Sequence, residues 1–235
     1  MAKPFWTNIL KRHPSLEDFS SKMRLDWNNR AIENAKYYVQ NQTEEWDPRE
    51  FFRSGEINVA NEVMPDMFRI CGGQRSPLDL NMIEIGCGVG RMTRMLAKIF
   101  GHVTAVDISE EMIRQAKHNT GDLTNISFLV GDGCTLRGVS SESQDFAFSF
   151  IVFQHIPSSA VMASYCREVF RVLKPGALFK VQVQGHVVAR ESLDMWVGHP
   201  VSQAEAQLLA NEAGFFLERQ EGVGTQFYWL WFRKP

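Results

Sequence analysis

Apolar residues from about residue 80 onward follow two alternating patterns. Short apolar runs predict strands near residues 80–85, 103–107, 126–130, 145–151 and 177–183. Apolar positions spaced three or four residues apart predict helices near residues 90–100, 110–118 and 158–172. Strands that alternate with helices in this way form a parallel sheet with helices on both faces. The pattern therefore predicts an α/β fold.

The N-terminal region has a different pattern. Residues 1–71 lack strand alternation and contain helical stretches near 30–38 and 57–70. A loop rich in glycine and proline follows at residues 72–77. We interpret residues 1–71 as a helical cap and residues 72–235 as the α/β domain.

The C-terminal segment predicts one helix and two strands. Ser202 and Glu205 have the spacing of a capping box, which opens a helix that ends near Gly214. Strands are predicted near residues 215–220 and 226–233. The strong aromatic content of the last strand is typical of a buried strand.

A glycine-rich segment follows the first predicted strand. Gly86, Gly88 and Gly90 stand at alternate positions, where the absence of Cβ atoms allows a sharp turn and close approach of a ligand. Asp107 closes the next strand, at a place where an acid accepts hydrogen bonds from both ribose hydroxyls. Strand, glycine loop, helix, strand and acid form one βαβ unit, which predicts a nucleoside cofactor.

Glu84 and Arg91 indicate which nucleoside is bound. A carboxylate just before the first glycine would repel a pyrophosphate, but it attracts the ammonium and sulfonium groups of S-adenosylmethionine. The dinucleotide fingerprint also requires a small residue where this chain has Arg91. Both residues favour S-adenosylmethionine over a nicotinamide dinucleotide.

The order of motifs resembles that of the class I S-adenosylmethionine-dependent methyltransferases, over roughly residues 80 to 185. The matching segments are Glu84-Ile85-Gly86-Cys87-Gly88-Val89-Gly90, Val106-Asp107-Ile108, Gly131-Asp132-Gly133, Asp145-Phe146-Ala147-Phe148, Gln154-His155-Ile156-Pro157 and Leu173-Lys174-Pro175-Gly176. The resemblance implies a doubly wound, Rossmann-like sheet of seven mostly parallel strands, the last of them antiparallel between its neighbours.

The same resemblance implies a set of residues that bind the cofactor. Asp107 would hold the ribose, Asp132 would accept from the adenine amino group, and Ile108 and Met112 would line the adenine pocket. The full predicted set is Glu84, Gly86, Cys87, Gly88, Gly90, Asp107, Ile108, Met112, Asp132, Gly133 and Phe150. For Asp132 a turn aspartate, and for Ile108 and Met112 plain core packing, are the alternative interpretations.

Methyl transfer requires alignment of a nucleophile with the methyl–sulfur bond and exclusion of water, so it needs no fixed catalytic motif. His155 is the titratable side chain after the fourth strand, and it is a candidate general base or a structural residue before the next helix. The predicted acceptor contacts are Tyr37, Tyr38, Gln154 and His186, with solvated or packed side chains as the alternative. His199 is a weaker candidate of the same kind.

Composition excludes several classes of partner. The net charge is −2 and the basic residues form no runs, so a nucleic acid is not expected. The four cysteines show neither metal spacing nor a disulfide framework, and no acidic cluster indicates a magnesium site. No signal peptide or membrane-spanning run is predicted, so the expected location is the cytoplasm.

Three functional hypotheses follow. The first is a methyltransferase that acts on a small-molecule acceptor and releases S-adenosylhomocysteine. The second is a nicotinamide dehydrogenase, which Glu84 and Arg91 oppose. The third is a protein that binds the cofactor without catalysis, as a partner or regulatory subunit. The sequence leaves the methylated atom open, and it leaves a monomer or a homodimer open as the oligomeric state.

Overall fold

The computed structural model describes residues 16–186 and 196–235, which form one sheet flanked by helices. The strands are β1 (Asn81–Ile85), β2 (His102–Asp107), β3 (Ile126–Val130), β4 (Gln144–Ser149), β5 (Leu173–Val183), β6 (Phe216–Glu221) and β7 (Tyr228–Arg233). The helices are α1 (Leu16–Val39), α2 (Pro48–Glu62), α3 (Met67–Ile70), α4 (Thr93–Ile99), α5 (Glu110–Asn119), α6 (Ser159–Val172) and α7 (Gln203–Ala213).

The sheet has the strand order β3-β2-β1-β4-β5-β7-β6. Strands β1 to β5 run parallel, and β7 lies antiparallel between β5 and β6. This topology confirms the predicted doubly wound sheet of seven strands. The strand order reverses between β1 and β4, and in open α/β sheets the crevice at such a reversal is where ligands bind.

Two hydrophobic clusters cover the two faces of the sheet. On one face α6 and α7 pack against the strands through residues such as Val169 and Leu209. On the other face the helices contribute Val59 from α2, Ile70 from α3 and Leu96 from α4. The central strand β4 is buried along its whole length, as expected for a parallel strand with helices on both sides.

The N-terminal helices differ from their predicted bounds. The stretch predicted at 30–38 is the second half of the longer helix α1. The stretch predicted at 57–70 begins earlier, because the Asp47 carboxylate caps α2 by accepting from the amides of Arg49 and Glu50. It is also interrupted by a 3₁₀ turn at Met64–Asp66, where Pro65 cannot continue an α-helix.

Helix α2 packs directly on the glycine loop. A Cβ atom at Gly55 would lie 2.2 Å from the Arg91 carbonyl oxygen, so glycine is required for this approach. Val59 and Val63 of the same segment are fully buried in the cluster that covers the sheet. Residues of the predicted cap thus share a hydrophobic cluster with the sheet, and the division at residue 71 stays a prediction.

No helix within residues 16–186 or 196–235 has the length and apolar character needed to cross a membrane.

The Gly55 contact generates a stability prediction. Gly55→Ala adds a methyl group that overlaps the Arg91 backbone, and it should lower the free energy of unfolding by about 1–3 kcal/mol despite the better helix propensity of alanine. Gly121→Ala is the matched control, because its new Cβ would come no closer than 3.5 Å to a neighbour. Urea unfolding of both variants measures the difference, and equal stabilities would contradict the close-packing argument.

Candidate functional site

A cavity lies at the carboxyl edge of the sheet, beside the point where the strand order reverses. It encloses about 950 Å³, part of it open to solvent. Its walls come from the ends of β1 and β2, the start of α5, the segment after β4, and helix α1, which closes it from above. The lining residues that the argument uses are Met23, Trp27, Glu84, Gly86, Cys87, Gly88, Arg91, Asp107, Ile108, Met112, Phe150, Ile151 and His155.

Asp107 ends β2 in the wall of this cavity. One carboxylate oxygen accepts from the amide of Gly88 at 2.8 Å, and the other accepts from the amide of Ser109 at 2.9 Å. Desolvation raises the pKa of Asp107 to about 6, although the backbone hydrogen bonds from Ser109 and Gly88 partly oppose the shift. Each oxygen keeps a further lone pair, so the carboxylate can accept from a pair of hydroxyl groups in the cavity.

Glu84 is buried in the same wall at the end of β1. Its carboxylate accepts from the hydroxyl of Thr93 at 2.5 Å. Burial raises the pKa of Glu84 to about 8, and the hydrogen bond from Thr93 and the charge of Arg91 oppose that shift only in part. A buried carboxylate with so little compensation is suited to a cationic group in the cavity.

Arg91 follows the glycine loop and links it to α2. Its guanidinium donates to the Ser54 hydroxyl at 3.1 Å and to the Asn58 side-chain oxygen at 2.6 Å. Burial lowers the pKa of Arg91 to about 10, opposed by the negative charge of Glu84. The buried Nε atom has no hydrogen-bond partner among the described residues. In the sequence Arg91 indicated only that a dinucleotide does not bind. Its hydrogen bonds to α2 were not predicted.

Gly88 presents bare backbone to the cavity beside the end of α1. Its φ angle of +53° lies in the left-handed region. A Cβ atom there would lie 2.9 Å from a methyl group of Val39. The glycine therefore serves both the turn after β1 and the close approach of α1.

Helix α1 is fixed over the edge of the sheet by polar contacts. The side-chain oxygen of Asn28 accepts from the Ser109 hydroxyl at 2.8 Å and from the Glu111 amide at 3.1 Å, at the N-terminus of α5. Farther along the edge, the Ser20 hydroxyl donates to the backbone carbonyl of Asp132. These contacts hold Met23 and Trp27 in the cavity wall.

A second cavity adjoins the first. The two share the lining residues Tyr38, Val39, Ile151 and His155. The remaining described residues of the second cavity are Gln40, Asn41, Gln42, Gln154, Gln184, Trp196, Val197, Gln226 and Phe227. The end of α1 and the segment after β4 therefore stand between two adjoining spaces.

His155 is buried at this junction and packs between the rings of Trp27 and Trp196. Its Nδ1 atom lies 2.5 Å from the carbonyl oxygen of Trp196, and its Nε2 atom lies 3.1 Å from the amide nitrogen of Gln154. A carbonyl accepts and an amide nitrogen donates, so the network assigns a neutral ring that carries its proton on Nδ1. In this arrangement Nε2 is already occupied as an acceptor.

Gln182 fixes the orientation of Gln154. Its side-chain oxygen accepts from the amide of Ile151 at 3.0 Å, which leaves its nitrogen to donate to the side-chain oxygen of Gln154 at 2.9 Å. The nitrogen of Gln154 then faces His155. Ile151 has a φ angle of +56°, which is rare for a β-branched residue and is the kind of backbone strain found at functional sites.

Most of the predicted cofactor residues meet in the first cavity. The ones that line it are Glu84, Gly86, Cys87, Gly88, Asp107, Ile108, Met112 and Phe150. Gly90, Asp132 and Gly133 do not belong to its lining. Gly90 packs near Ala116 and Thr120, and a Cβ atom on Gly133 would lie 2.6 Å from Ile108. The binding roles of these three residues stay predictions.

Asp132 shows why its role stays open. One carboxylate oxygen accepts from the amides of Cys134 at 3.0 Å and Thr135 at 2.6 Å, and the other accepts from the Thr135 hydroxyl at 2.5 Å. These bonds lower the pKa of Asp132 against the opposing effect of desolvation, which raises it. The geometry is that of a turn aspartate, the alternative interpretation of this residue.

The predicted acceptor residues divide in the same way. Tyr38 and Gln154 line the second cavity, whereas Tyr37 and His186 line neither. His186 is exposed, and its backbone amide donates to the side chain of Gln184. His199 lies 3.1 Å from a carboxylate oxygen of Glu205. Acceptor contacts by Tyr37 and His186 stay predictions.

Other wall residues were not singled out from the sequence. No periodic spacing in the sequence marks Trp27, Ile151 or Trp196, because each reaches the site through packing between segments far apart in the chain. Met23 and Trp27 are apolar residues of the N-terminal helix, but the sequence does not show which face of that helix lines the cavity.

Comparison with known proteins finds similarity to methyltransferases over part of the chain. A family model described as a methyltransferase domain matches residues 83–181, the segment that holds the glycine loop, Asp107 and His155. The 2-methyl-6-phytyl-1,4-hydroquinone methyltransferase of Synechocystis is 32% identical over 138 residues, which are 53% of this chain and 42% of that protein. Residues 83–181 are therefore similar in sequence to a methyltransferase domain.

Two further similarities cover more of the chain at lower identity. The ubiquinone biosynthesis O-methyltransferase of Hydrogenovibrio crunogenus is 22% identical over 198 residues, which cover 77% of this chain and 78% of that protein. The structure of magnesium protoporphyrin IX methyltransferase from Synechocystis, with bound S-adenosylhomocysteine, has a TM-score of 0.67 at 16% identity and covers 93% of this chain and 100% of that one. The chain spans less than half the length of the first curated relatives, 42% and 29% for two of them.

The raised pKa of Glu84 generates a prediction for the ligand-free methyltransferase domain. The pKa of Glu84 is about 8 in the folded protein, compared with an ordinary value of 4.5. The contribution of protonated Glu84 to the free energy of unfolding is therefore fully present below pH 4.5, and it is lost as the pH rises through 8. Glu84→Gln removes this titration. Relative to the variant, the wild type should lose up to about 1.4 kcal/mol per pH unit within that window.

Urea unfolding of both proteins at several values between pH 5 and pH 8.5 measures the difference. The titration of Asp107 is common to both proteins and cancels to first order. A difference in stability that is independent of pH would contradict the assignment of a desolvated, uncompensated Glu84.

Proposed function

We propose that this protein transfers a methyl group from S-adenosylmethionine to a small-molecule acceptor, by in-line displacement at the sulfonium methyl. One observation carries the proposal. The carboxylates of Glu84 and Asp107 lie at the ends of adjacent strands in one recessed cavity, and that cavity shares four lining residues with a second one. The names of the relatives, which include hydroquinone, sterol and ubiquinone-pathway methyltransferases, support it.

The residues of the first cavity fit the cofactor. Asp107 has a free lone pair on each oxygen for the two ribose hydroxyls, and buried Glu84 suits the ammonium of the methionine end. Ile108 and Met112 supply an apolar wall for the adenine. When bound, the sulfonium supplies an electrophilic methyl group, so the chain itself need not activate the donor.

The shared wall between the cavities sets where transfer takes place. Tyr38, Ile151 and His155 face both spaces, so they surround the junction at which donor and acceptor meet. Helix α1 covers this junction and excludes water from it. The chemistry then depends on alignment of the acceptor along the axis of the breaking bond.

His155 is proposed to act at this junction by positioning. Its Nε2 atom accepts from Gln154 and its Nδ1 proton faces the Trp196 carbonyl, so the ring orders both neighbours around the acceptor. The role of general base, which the sequence also allowed, requires Gln154 to turn its amide away from Nε2 first. An acceptor that loses its proton without help needs no such step.

The two other hypotheses receive less support. A dinucleotide would bring its pyrophosphate toward Glu84, whose ionised form repels it. A partner that binds cofactor without catalysis would not need the adjoining second cavity. We also propose a cytoplasmic location, which the four free cysteines at positions 71, 87, 134 and 166 support.

The ribose contact can be tested by binding. Asp107→Asn keeps the shape of the side chain and removes its charge, so it should weaken the affinity for S-adenosylhomocysteine roughly 10- to 100-fold, in line with about 1.5–3 kcal/mol for hydrogen bonds to a charged group. Titration calorimetry measures the affinity, and circular dichroism checks the fold. Asp122→Asn is the matched control, because Asp122 pairs with Arg94 on the exposed surface.

Unchanged affinity in a folded Asp107→Asn protein would remove the nucleoside assignment. Wild-type protein that binds NAD more tightly than S-adenosylhomocysteine in the same calorimeter would instead support the dehydrogenase hypothesis.

A further inference from the structure

The polar lining of the second cavity consists of carboxamides. Six of its thirteen described residues are asparagine or glutamine, and none of the thirteen is Asp, Glu, Lys or Arg. His155 is the titratable imidazole among them, and the network around it assigns the neutral form. The carboxamide residues are Gln40, Asn41, Gln42, Gln154, Gln184 and Gln226.

Carboxamides recognise neutral polar groups. Each offers a donor and an acceptor without a net charge, which matches hydroxyl and carbonyl groups. A carboxylate, phosphate or ammonium placed here would lose hydration without gaining a counter-ion from the described lining, and an unpaired charge out of water is costly. The lining therefore favours an uncharged acceptor.

Half of the apolar residues in the described lining are aromatic. Tyr38, Trp196 and Phe227 stand around the same space, and Tyr38 and Trp196 contact each other edge to face with ring centroids 6.0 Å apart. Phe227 is 47% exposed, so its ring is open to a further partner. Aromatic walls bind planar rings through offset or edge contacts.

Two charged residues of α1 beside these aromatics, Arg30 and Glu33, already have partners. The Arg30 guanidinium lies over the rings of Tyr38 and Trp196, at 5.0 and 4.9 Å from their centroids, and pairs with Asp26 at 2.7 Å. The Glu33 carboxylate accepts from the Tyr38 hydroxyl at 3.0 Å. Neither Arg30 nor Glu33 belongs to the described lining of the second cavity.

The carboxamides differ in how firmly they are held. Gln154 is buried and fixed between Gln182 and His155. The side chains of Gln40 and Gln226 form no hydrogen bond with another described residue, so their amide groups are available to an acceptor. The second cavity thus combines one fixed carboxamide, that of Gln154, with the carboxamides of Gln40 and Gln226, which can reorient.

We infer that the acceptor is an uncharged aromatic or heterocyclic compound whose hydroxyl or carbonyl groups are bound by these carboxamides. The inference rests on the proposed methyl transfer and adds the chemical class of the acceptor. It distinguishes this cavity from one built for phosphoethanolamine, which is named in relatives of this chain.

Label transfer into a fractionated cell extract tests the inference. The extract is separated at pH 7 into compounds retained on a cation exchanger, compounds retained on an anion exchanger and compounds retained on neither. Each fraction is incubated with the full-length protein and S-adenosylmethionine that carries a tritiated methyl group. We expect label in an ultraviolet-absorbing product of the unretained fraction.

The outcomes separate the inference from the proposed function. Label that enters mainly the cationic or anionic fraction, or a neutral product without ultraviolet absorption, would overturn the acceptor class and leave methyl transfer standing. Label in no fraction would overturn the proposed methyl transfer, and the inference with it. Binding of S-adenosylhomocysteine, measured in parallel, confirms that the protein is folded in every case.

A charge placed in the lining provides a second test with the neutral acceptor. Gln40→Glu should lower kcat/KM about tenfold, because it adds a charge and removes a donor, while the affinity for S-adenosylhomocysteine stays unchanged. Gln207→Glu makes the same chemical change on the exposed face of α7, where Gln207 bonds Asn211, and should leave both values unchanged. Equal kcat/KM for the two variants would count against recognition by the carboxamides.

Discussion

Desolvation of two carboxylates at the ends of neighbouring parallel strands is the constraint on which the site depends. Strands β1 and β2 pair in register, so their acids Glu84 and Asp107 are carried to the same edge of the sheet. Asp107 is compensated by two backbone amides, whereas buried Glu84 has a hydroxyl and a distant charge. Since both pKa values remain raised, the fold alone does not complete the electrostatics of the cavity. A bound ligand that carries a positive charge and hydroxyl groups would supply the missing partners of both carboxylates.

The groups that stabilise these two carboxylates also determine which segments of the chain pack around them. The amide of Gly88 points at Asp107 only because the glycine loop turns there with a positive φ angle. Arg91 leaves the same loop and is held by Ser54 and Asn58, which draws α2 against the loop at Gly55. The N-terminal helices are therefore packed by the same loop that positions the cofactor residues. This is why residues 48–71 share the core of the sheet.

Local signals explain what was predictable from the sequence. The strand, glycine loop and Asp107 lie close together in the chain, and the geometry of a βαβ unit fixes their arrangement. Helix α2 begins before the predicted residue 57, because Asp47 caps it and Pro48 takes its first position. An aspartate at position 132 is equally compatible with a turn and with a ligand contact, so the sequence does not separate the two roles. In the structure its carboxylate accepts hydrogen bonds from the amide and the hydroxyl of Thr135. The contact of His155 with Trp27 joins segments more than a hundred residues apart, and no local pattern encodes it.

Asn34 connects the cap to both cavities. Its backbone leaves the helical region within α1, with φ −161° and ψ 80°, so the last turn of the helix takes a new direction. The Asn34 side chain stabilises this break, since its oxygen accepts from the Tyr37 amide at 3.2 Å and its nitrogen donates to the Glu44 carbonyl at 2.9 Å. The redirected turn brings Tyr38 and Val39 into the wall that the cavities share. A straight helix would carry these side chains along the original axis, so the break at Asn34 is what makes α1 line the second cavity as well as the first.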